Sequence, residues 1–257
     1  MRMKRYLVCL ALPIALLAAL PARAESVLSD IIARGTLRVG LTGDYRPFSI
    51  KEADNKFSGM DVDAAEALAA SMGVKLEIVP TAWPTLMADM LAHKYDIAMG
   101  GITITLDRAK TAYFSTPVMR SGKTPIARCV DKDKFGTLAQ IDQPGVKVIV
   151  NPGGTNERFA KANIKQAEIV GFPNNATIFE EIVAGHADVM MTDAVETRLQ
   201  QKLHPELCAI HPDEPFDHSL LGYMIPQDMP LQQYVDQFLA IEQTSGARDK
   251  LLAKWLP

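Results

Sequence analysis

The stretch Asp96-Ile97-Ala98-Met99-Gly100-Gly101-Ile102-Thr103-Ile104-Thr105-Leu106-Asp107-Arg108 decides how the rest of the chain is read. Ile97, Ala98 and Met99 form a short apolar run ended by two glycines, the pattern of a buried strand that stops at a crevice. Thr103, Thr105 and Arg108 follow at a strand-to-helix junction, where backbone N–H groups and a guanidinium can converge on a carboxylate. Most arginines early in a helix are solvated, so Arg108 gains weight as an anion holder only if other loops reach the same place.

Working outward, Ser26 to Arg34 reads as an amphipathic helix stopped by Gly35, and Thr36 to Leu41 as a strand. That strand runs into Thr42-Gly43-Asp44-Tyr45-Arg46-Pro47-Phe48, a turn-rich loop, with a hairpin turn expected over 51–58. Asp61 to Met72 is a helix with Val62, Ala65, Leu68 and Ala69 inward and Gly73 as its stop. Val74 to Val79 is the next strand, and Trp83-Pro84 opens a helix from Thr85 to His93. The order β-α-β-α-β predicts a mostly parallel sheet with helices on its faces and a ligand outside the carboxyl ends of the strands. Those ends carry Asp44, Trp83 and Gly101 to Thr103, so three loops aim at one place.

A second block repeats the logic. Ile126 to Val130 and Val146 to Val150 read as strands, the latter ending in Asn151-Pro152-Gly153-Gly154-Thr155-Asn156 before a helix over Glu157 to Ala162. Strand Ile169–Phe172, helix Ala176–Ala184 and strand Ala187–Met191 follow, and Thr192-Asp193-Ala194-Val195-Glu196 begins a helix to Leu203. A strand from Leu220 to Ile225 and helices over Leu231–Glu242 and Ala247–Trp255 close the chain. The economical topology is an α/β protein of two lobes, the second inserted in the first, with the ligand cleft between them. Residues 25–123 and 217–257 would form the first lobe and 124–216 the second.

The 257 residues are 48% hydrophobic and 22% charged, enough for one large core or two moderate ones. Arg2, Lys4 and Arg5, an apolar run from Tyr6 to Leu20 and Ala22-Arg23-Ala24 make a secretory leader over 1–24, cut after Ala24. The run is shorter than the roughly 20 residues that span a membrane, so no membrane partner is expected after cleavage. Cleavage removes four arginines and lysines and no acids, which leaves the mature chain more acidic than the full chain's net −3. With no basic run, nucleic acid is excluded as a partner. Cleavage also removes Cys9 and leaves Cys129 and Cys208, read either as one disulfide in an oxidising compartment or as two buried thiols. No cysteine or histidine spacing fits a metal, and nothing in the chain calls for a cofactor.

Each remaining motif has two readings. Gly153-Gly154-Thr155-Asn156 is either an anion nest at a helix N-terminus or a glycine turn with Thr155 or Asn156 as N-cap. Asp193-Ala194-Val195-Glu196 is, on local sequence, foremost a capping box, and the helix dipole there favours an ionised Glu196. An acid role for Glu196 requires burial strong enough to outweigh that dipole. Lys123 is a solvated lysine or a cation at the back of the cleft, and Trp83 a core residue or a platform for a flat ring.

Thr36–Phe48, Gly59–Ala64, Tyr95–Thr103 and Arg108–Pro117 resemble the running pattern of the periplasmic amino-acid-binding proteins of family 3, over essentially the whole mature chain. The resemblance implies two lobes closing on a small molecule, Arg108 on its carboxylate and Asp193 near an α-amine. A narrower set of runs is similar to the branch of that fold that acts on prephenate and arogenate: Thr42–Tyr45, Trp83-Pro84, Ser121–Pro125, Ile149–Asn156, Met191–Glu196 and His204–Cys208. That branch implies a hydro-lyase of phenylalanine biosynthesis that removes the ring carboxylate and hydroxyl together. Glu196 would be its general acid, with Asn151 and Lys123 beside the leaving group. Arg108, Thr103 and Thr155, with the glycine corners at Gly101 and Gly154, would hold carboxylates, Trp83 would line the ring, and Asp44 would support the polar network. The alternative is a non-catalytic amino-acid-binding subunit of an ABC importer. Neither reading fixes an oligomeric state.

Overall fold

The computed structural model describes residues 26–256. The leader expected over 1–24, its cleavage point and Cys9 lie outside the described residues.

The strand Thr36–Leu41 is apolar on alternate positions and then continuously, and Leu37, Val39 and Leu41 are fully buried. It pairs in parallel with Lys75–Pro80 on one side and Ile97–Ala98 on the other. Met224–Ile225 then inserts antiparallel between Ile97–Ala98 and Tyr113–Phe114, which completes five strands. The sheet is therefore mixed, with its parallel part where the sequence places it. Helix Met60–Ser71 lays Val62, Ala65, Leu68 and Ala69 on one face, joined by Leu231, Val235 and Phe238 from helix Met229–Thr244. Asp96, at the head of the deciding stretch, accepts the Arg38 backbone N–H and its Nη2, each at 2.8 Å, and so fixes where Ile97–Ala98 enters.

The second sheet runs Glu168–Gly171, Lys147–Val150, Val189–Asp193, Lys123–Arg128 and Leu207–Ala209. The first three are parallel and the last two antiparallel additions. One face packs Val148, Val150, Val189 and Met191 against Ala160 and Ile164; the other packs Ile126, Ile149 and Met190 against Ile178, Phe179 and Ile182. Both faces are covered, which explains the unbroken apolar runs of these strands. Cys129 and Cys208 stand at the sheet edge with their sulfurs 2.07 Å apart, 79 residues apart in sequence. Such a closure removes about 3–5 kcal/mol of unfolded-chain entropy in the loop model.

Two elements differ from the sequence reading. The strand expected from Ile126 to Val130 starts at Lys123, stops at Arg128 and gives way to a 3-10 turn over Cys129–Lys134. The hairpin turn expected over 51–58 is present, joining Ser49–Lys51 to Phe57–Ser58, and Asp44–Tyr45 adds a third strand. The single strand expected from Leu220 to Ile225 is two strands in two sheets. Ser219–Leu221 pairs with Met119–Ser121 in a two-stranded ribbon between the lobes, and Met224–Ile225 enters the first sheet. The break falls at Gly222, which packs closely on Ile104: a Cβ there would lie 2.9 Å from the end of that side chain. Just beyond the ribbon the two connections touch: a Cβ on Gly122 would sit 2.0 Å from the Asp217 carbonyl oxygen. The Lys123 N–H donates to Asp217 Oδ1 at 2.6 Å. Among the described residues no helix is long and apolar enough to cross a membrane.

Candidate active site

The corner that ends Ile97–Ala98 is pinned from below. Asp61, fully buried in the first turn of helix Met60–Ser71, accepts the N–H groups of Gly100 and Gly101 at 2.8 and 2.9 Å, and the Tyr223 hydroxyl donates to its other oxygen at 3.3 Å. Gly101 has φ +71°, and a Cβ there would fall 2.5 Å from the Phe48 ring, so only glycine fits. The corner sets Thr103 and the turn Leu106–Ala109, whose N-cap Thr105 accepts the Arg108 N–H at 3.3 Å. Arg108 is 5% exposed and donates through Nη1 to the Thr103 carbonyl at 2.7 Å. Among the described residues it meets no carboxylate. Burial, with the nearby Arg158 guanidinium adding to it, pulls the Arg108 guanidinium down to about 10, still cationic at neutral pH. A buried cation without an internal counter-ion is a site for an external anion.

The opposite wall comes from strand Val189–Asp193 and helix Ala194–Leu203. The capping box expected at Asp193–Glu196 does not form. Asp193 occupies the N-cap position but makes no side-chain cap hydrogen bond. Its Oδ1 accepts from Lys123 Nζ at 3.0 Å and its Oδ2 from the Tyr45 hydroxyl at 2.6 Å, both partners buried. A charge-assisted bond to a buried ammonium outcompetes a backbone N–H that the helix end can leave to others. Glu196 also turns away from the cap: Thr192 Oγ1 donates to its Oε2 at 2.5 Å. At 1% exposure, its carboxyl is held well above the usual carboxylate range, by burial first and then by Asp193 and Asp44. The Thr192 hydrogen bond and the Lys123 charge oppose that rise without cancelling it.

Asn156 Nδ2, which can only donate, gives a hydrogen bond to Thr192 Oγ1 at 2.9 Å. Thr192 Oγ1 thus links Asn156 to the Glu196 carboxyl, whose Oε1 makes no hydrogen bond to another group among the described residues.

Asn156 is free to do this because the alternative N-cap reading of the glycine turn also fails. The cap of helix Thr155–Asn163 is Gly154, with no side-chain cap, and the Gly153 N–H donates to Glu157 Oε2 at 2.7 Å. Thr155 instead reaches across the cleft, its Oγ1 3.2 Å from Thr103 Oγ1. Trp83 Nε1 donates to Asp44 Oδ1 at 3.0 Å, and its ring meets Tyr45 edge-on at 5.8 Å. Burial pushes the Asp44 carboxyl up, against the hydrogen bond from Trp83. Asn175 Nδ2 donates to the Asp44 carbonyl at 3.0 Å, a further bond between the lobes.

The lobes are thus closed on one another around about 280 Å³ of empty space. Trp83, Gly101, Thr103, Asn151, Gly154, Thr155 and Asp193 line it. Asp44, Arg108, Lys123 and Glu196 stand in the layer behind, Lys123 also facing a larger cavity next door. Cys129 and Cys208 lie apart from the cleft, at the far end of the second sheet's edge strands. Among the described residues no group of three His, Cys, Asp or Glu side chains is arranged to hold a metal. Sequence reasoning missed Asp61, Asn156, Asn175 and Thr192, and took Tyr45 only as a loop residue. Their partners lie in other elements, and each reads locally as a polar residue at a helix start, strand end or loop.

Fold and site together define a two-lobed small-molecule-binding protein in which one wall offers a cation and the other a neutral acid. Residues 37–257 match the model of the bacterial extracellular solute-binding proteins, family 3, and the chain belongs to that family. It is 53% identical to a cyclohexadienyl dehydratase of Pseudomonas aeruginosa, over 98% of this chain and 94% of that protein. It is 29% identical to an L-cystine-binding protein of Escherichia coli over 90% of this chain and 86% of that one. Among solved structures it is similar to an ancestral amino-acid-binding protein described as a precursor of cyclohexadienyl dehydratase, with a TM-score of 0.84 and 39% identity over 90% of this chain and all of that one. An ancestral cyclohexadienyl dehydratase is 52% identical over 90% of this chain and 97% of that one, with a TM-score of 0.57.

Proposed function

We propose that this protein is a lyase that converts prephenate to phenylpyruvate, and arogenate to phenylalanine, in the cleft between its lobes. The observation that carries the reading is Glu196: a buried carboxyl held well above the usual carboxylate range, in a fold whose other duty is to hold carboxylates. The 53% identity to a cyclohexadienyl dehydratase supports it.

The reaction needs little else. The bond from the ring to its carboxylate breaks and releases CO2, the electron pair enters the ring, and the C–O bond across the ring breaks. The departing hydroxide takes the Glu196 proton and leaves as water. Aromatisation supplies the drive, so the protein has to orient two carboxylates and deliver one proton. Arg108, Thr103 and Thr155, with the N–H groups of the Gly101 and Gly154 corners, hold carboxylates. Trp83 lines the ring face, with Asp44 as the acceptor that fixes its indole. Asn151 and Lys123 stand beside the ring carboxylate and leaving group, and Lys123 keeps Asp193 engaged. With Lys123 and Tyr45 already on Asp193, the ammonium of arogenate has to compete for that carboxylate. No step calls for a metal or cofactor.

The lobes divide at Lys123/Thr124 and Phe216/Asp217, where the two connections meet, and the leader directs the chain to the periplasm. The reading is tested by incubating the purified mature protein with prephenate at neutral pH, quenching in alkali and measuring the phenylpyruvate enolate absorbance. Product above the uncatalysed control is expected. Tight binding of amino acids with no product would make the chain a transport subunit instead.

A further inference from the structure

Beside the catalytic cavity lies a larger one, about 1010 Å³ of empty space open toward solvent. The two share Thr103 and Thr155, so the 3.2 Å contact between those hydroxyls is the only partition named by both linings. The outer cavity is walled by Arg158, Phe159, His218 and Leu220, and Lys123 reaches it from behind.

Arg158 dominates the charge of that cavity. It is exposed, on the first full turn of helix Thr155–Asn163, and joins no ion pair among the described residues. The carboxylates around it are already engaged: Glu157 with Lys161 at 2.6 Å and the Gly153 N–H, Asp107 with Lys110 at 2.8 Å. Asp217, on the same wall, is turned to the Lys123 N–H. Arg158 belongs to the second lobe and Arg108 to the first, and their charges act on one another in the closed state. An exposed, unpaired guanidinium at the mouth, with a second cation buried behind Thr103, attracts an anion in proportion to its charge.

We propose that Arg158 is a specificity-determining residue of an entry vestibule, drawing in the dianionic prephenate more strongly than arogenate, whose ammonium leaves it a single net negative charge. The inference rests on the dehydratase reading. It concerns capture and not bond breaking, so its mark is on kcat/KM more than on kcat, and salt weakens it.

The experiment compares the wild type with Arg158→Gln, Arg158→Glu and Arg158→Lys on both substrates, at about 20 mM and about 500 mM salt, where the screening length falls several-fold. At low salt Arg158→Gln should lower kcat/KM about 5-fold for prephenate and about 2-fold for arogenate, and Arg158→Glu about 20-fold and about 4-fold, as expected when steering scales with ligand charge. Arg158→Lys should restore most of the loss, and high salt should bring all four proteins together. Equal losses on the two substrates, or losses that survive high salt, overturn the proposal. If the wild type quenches Trp83 fluorescence with prephenate but forms no product, the dehydratase reading fails by itself. The prephenate affinities of the same variants, read by that quenching at the two salt levels, then decide the role of Arg158. Binding of neither substrate defeats both.

Discussion

Arg108 and Glu196 are both ionisable side chains taken out of water, one on each lobe, and burial treats them in opposite ways. The guanidinium is so basic that a drop to about 10 leaves its charge intact. The carboxyl starts at 4.5 and is raised through the range where it gives up its charge. The first lobe therefore keeps an unsatisfied cation and becomes a binder, while the second acquires a proton it can donate. A solute-binding protein needs only the first of these. In the proposed reaction the step from holding a carboxylate to acting on its owner lies in Glu196 and its neighbours. Thr192 and Asn156 hold its carboxyl in place, while Asp193 engages Lys123, the cation whose charge opposes the rise.

The sharpest way to break this contrast is Glu196→Gln. Turnover should fall by about 10²- to 10⁴-fold while substrate affinity changes little, as for loss of a general acid. A variant that keeps near-wild-type kcat would remove Glu196 from the reaction. Arg108→Met should produce the mirror image: affinity for any carboxylate ligand down by about 10²-fold, as expected for a lost charge-assisted bidentate partner, with the residual kcat reduced less. A calorimetric titration with prephenate on the Glu196→Gln background separates the two effects. Thr192→Val should cost about 10-fold in kcat, because Glu196 then loses the hydrogen bond that orients its carboxyl, and should leave KM near the wild-type value. A change confined to KM would assign Thr192 to binding.

The smallest effect concerns stability and pH. Glu196 has a raised pKa in the folded protein, so its stabilising contribution is full below the unfolded value and is lost as pH rises through the folded one. Wild-type stability should accordingly decline from acid toward neutral and alkaline pH by an increment that Glu196→Gln lacks. Denaturant melts of the two proteins should converge near pH 4 and separate, with the variant the more stable, at pH 8. kcat should fall over the same interval, as the acid loses its proton.

The same contrast explains what the sequence discloses. Arg108 is legible because its setting is local: an apolar run, two glycines and two threonines within a dozen residues describe a strand end and a helix start. The glycine turn at Gly153-Gly154 is legible for the same reason. Glu196 is misread by local rules, because Asp193-Ala194-Val195-Glu196 satisfies a capping box on paper. What overrides the cap is Lys123 and Tyr45, which sit 70 and 148 residues away along the chain from Asp193. Asp61 is hidden likewise, since an aspartate in the first turn of a helix needs no partner, and its actual partners are 39 and 40 residues on. The strand over Leu220 to Ile225 splits for a reason no periodicity records, the passage of Gly222 against Ile104. Family resemblance reaches Glu196 where local physics points elsewhere, because it carries the long-range pairings implicitly.

The place of Met224–Ile225 in its sheet has a consequence for how the chain matures. That strand is flanked by Ile97–Ala98 and Tyr113–Phe114, so the first sheet stays in two pieces until nearly the whole polypeptide has been delivered. The second sheet is made entirely from strands between Lys123 and Ala209. A chain threaded from its amino end can thus finish its later-synthesised half before its earlier one. The wall that bears the acid assembles first, and the wall that bears the cation waits for the carboxyl terminus.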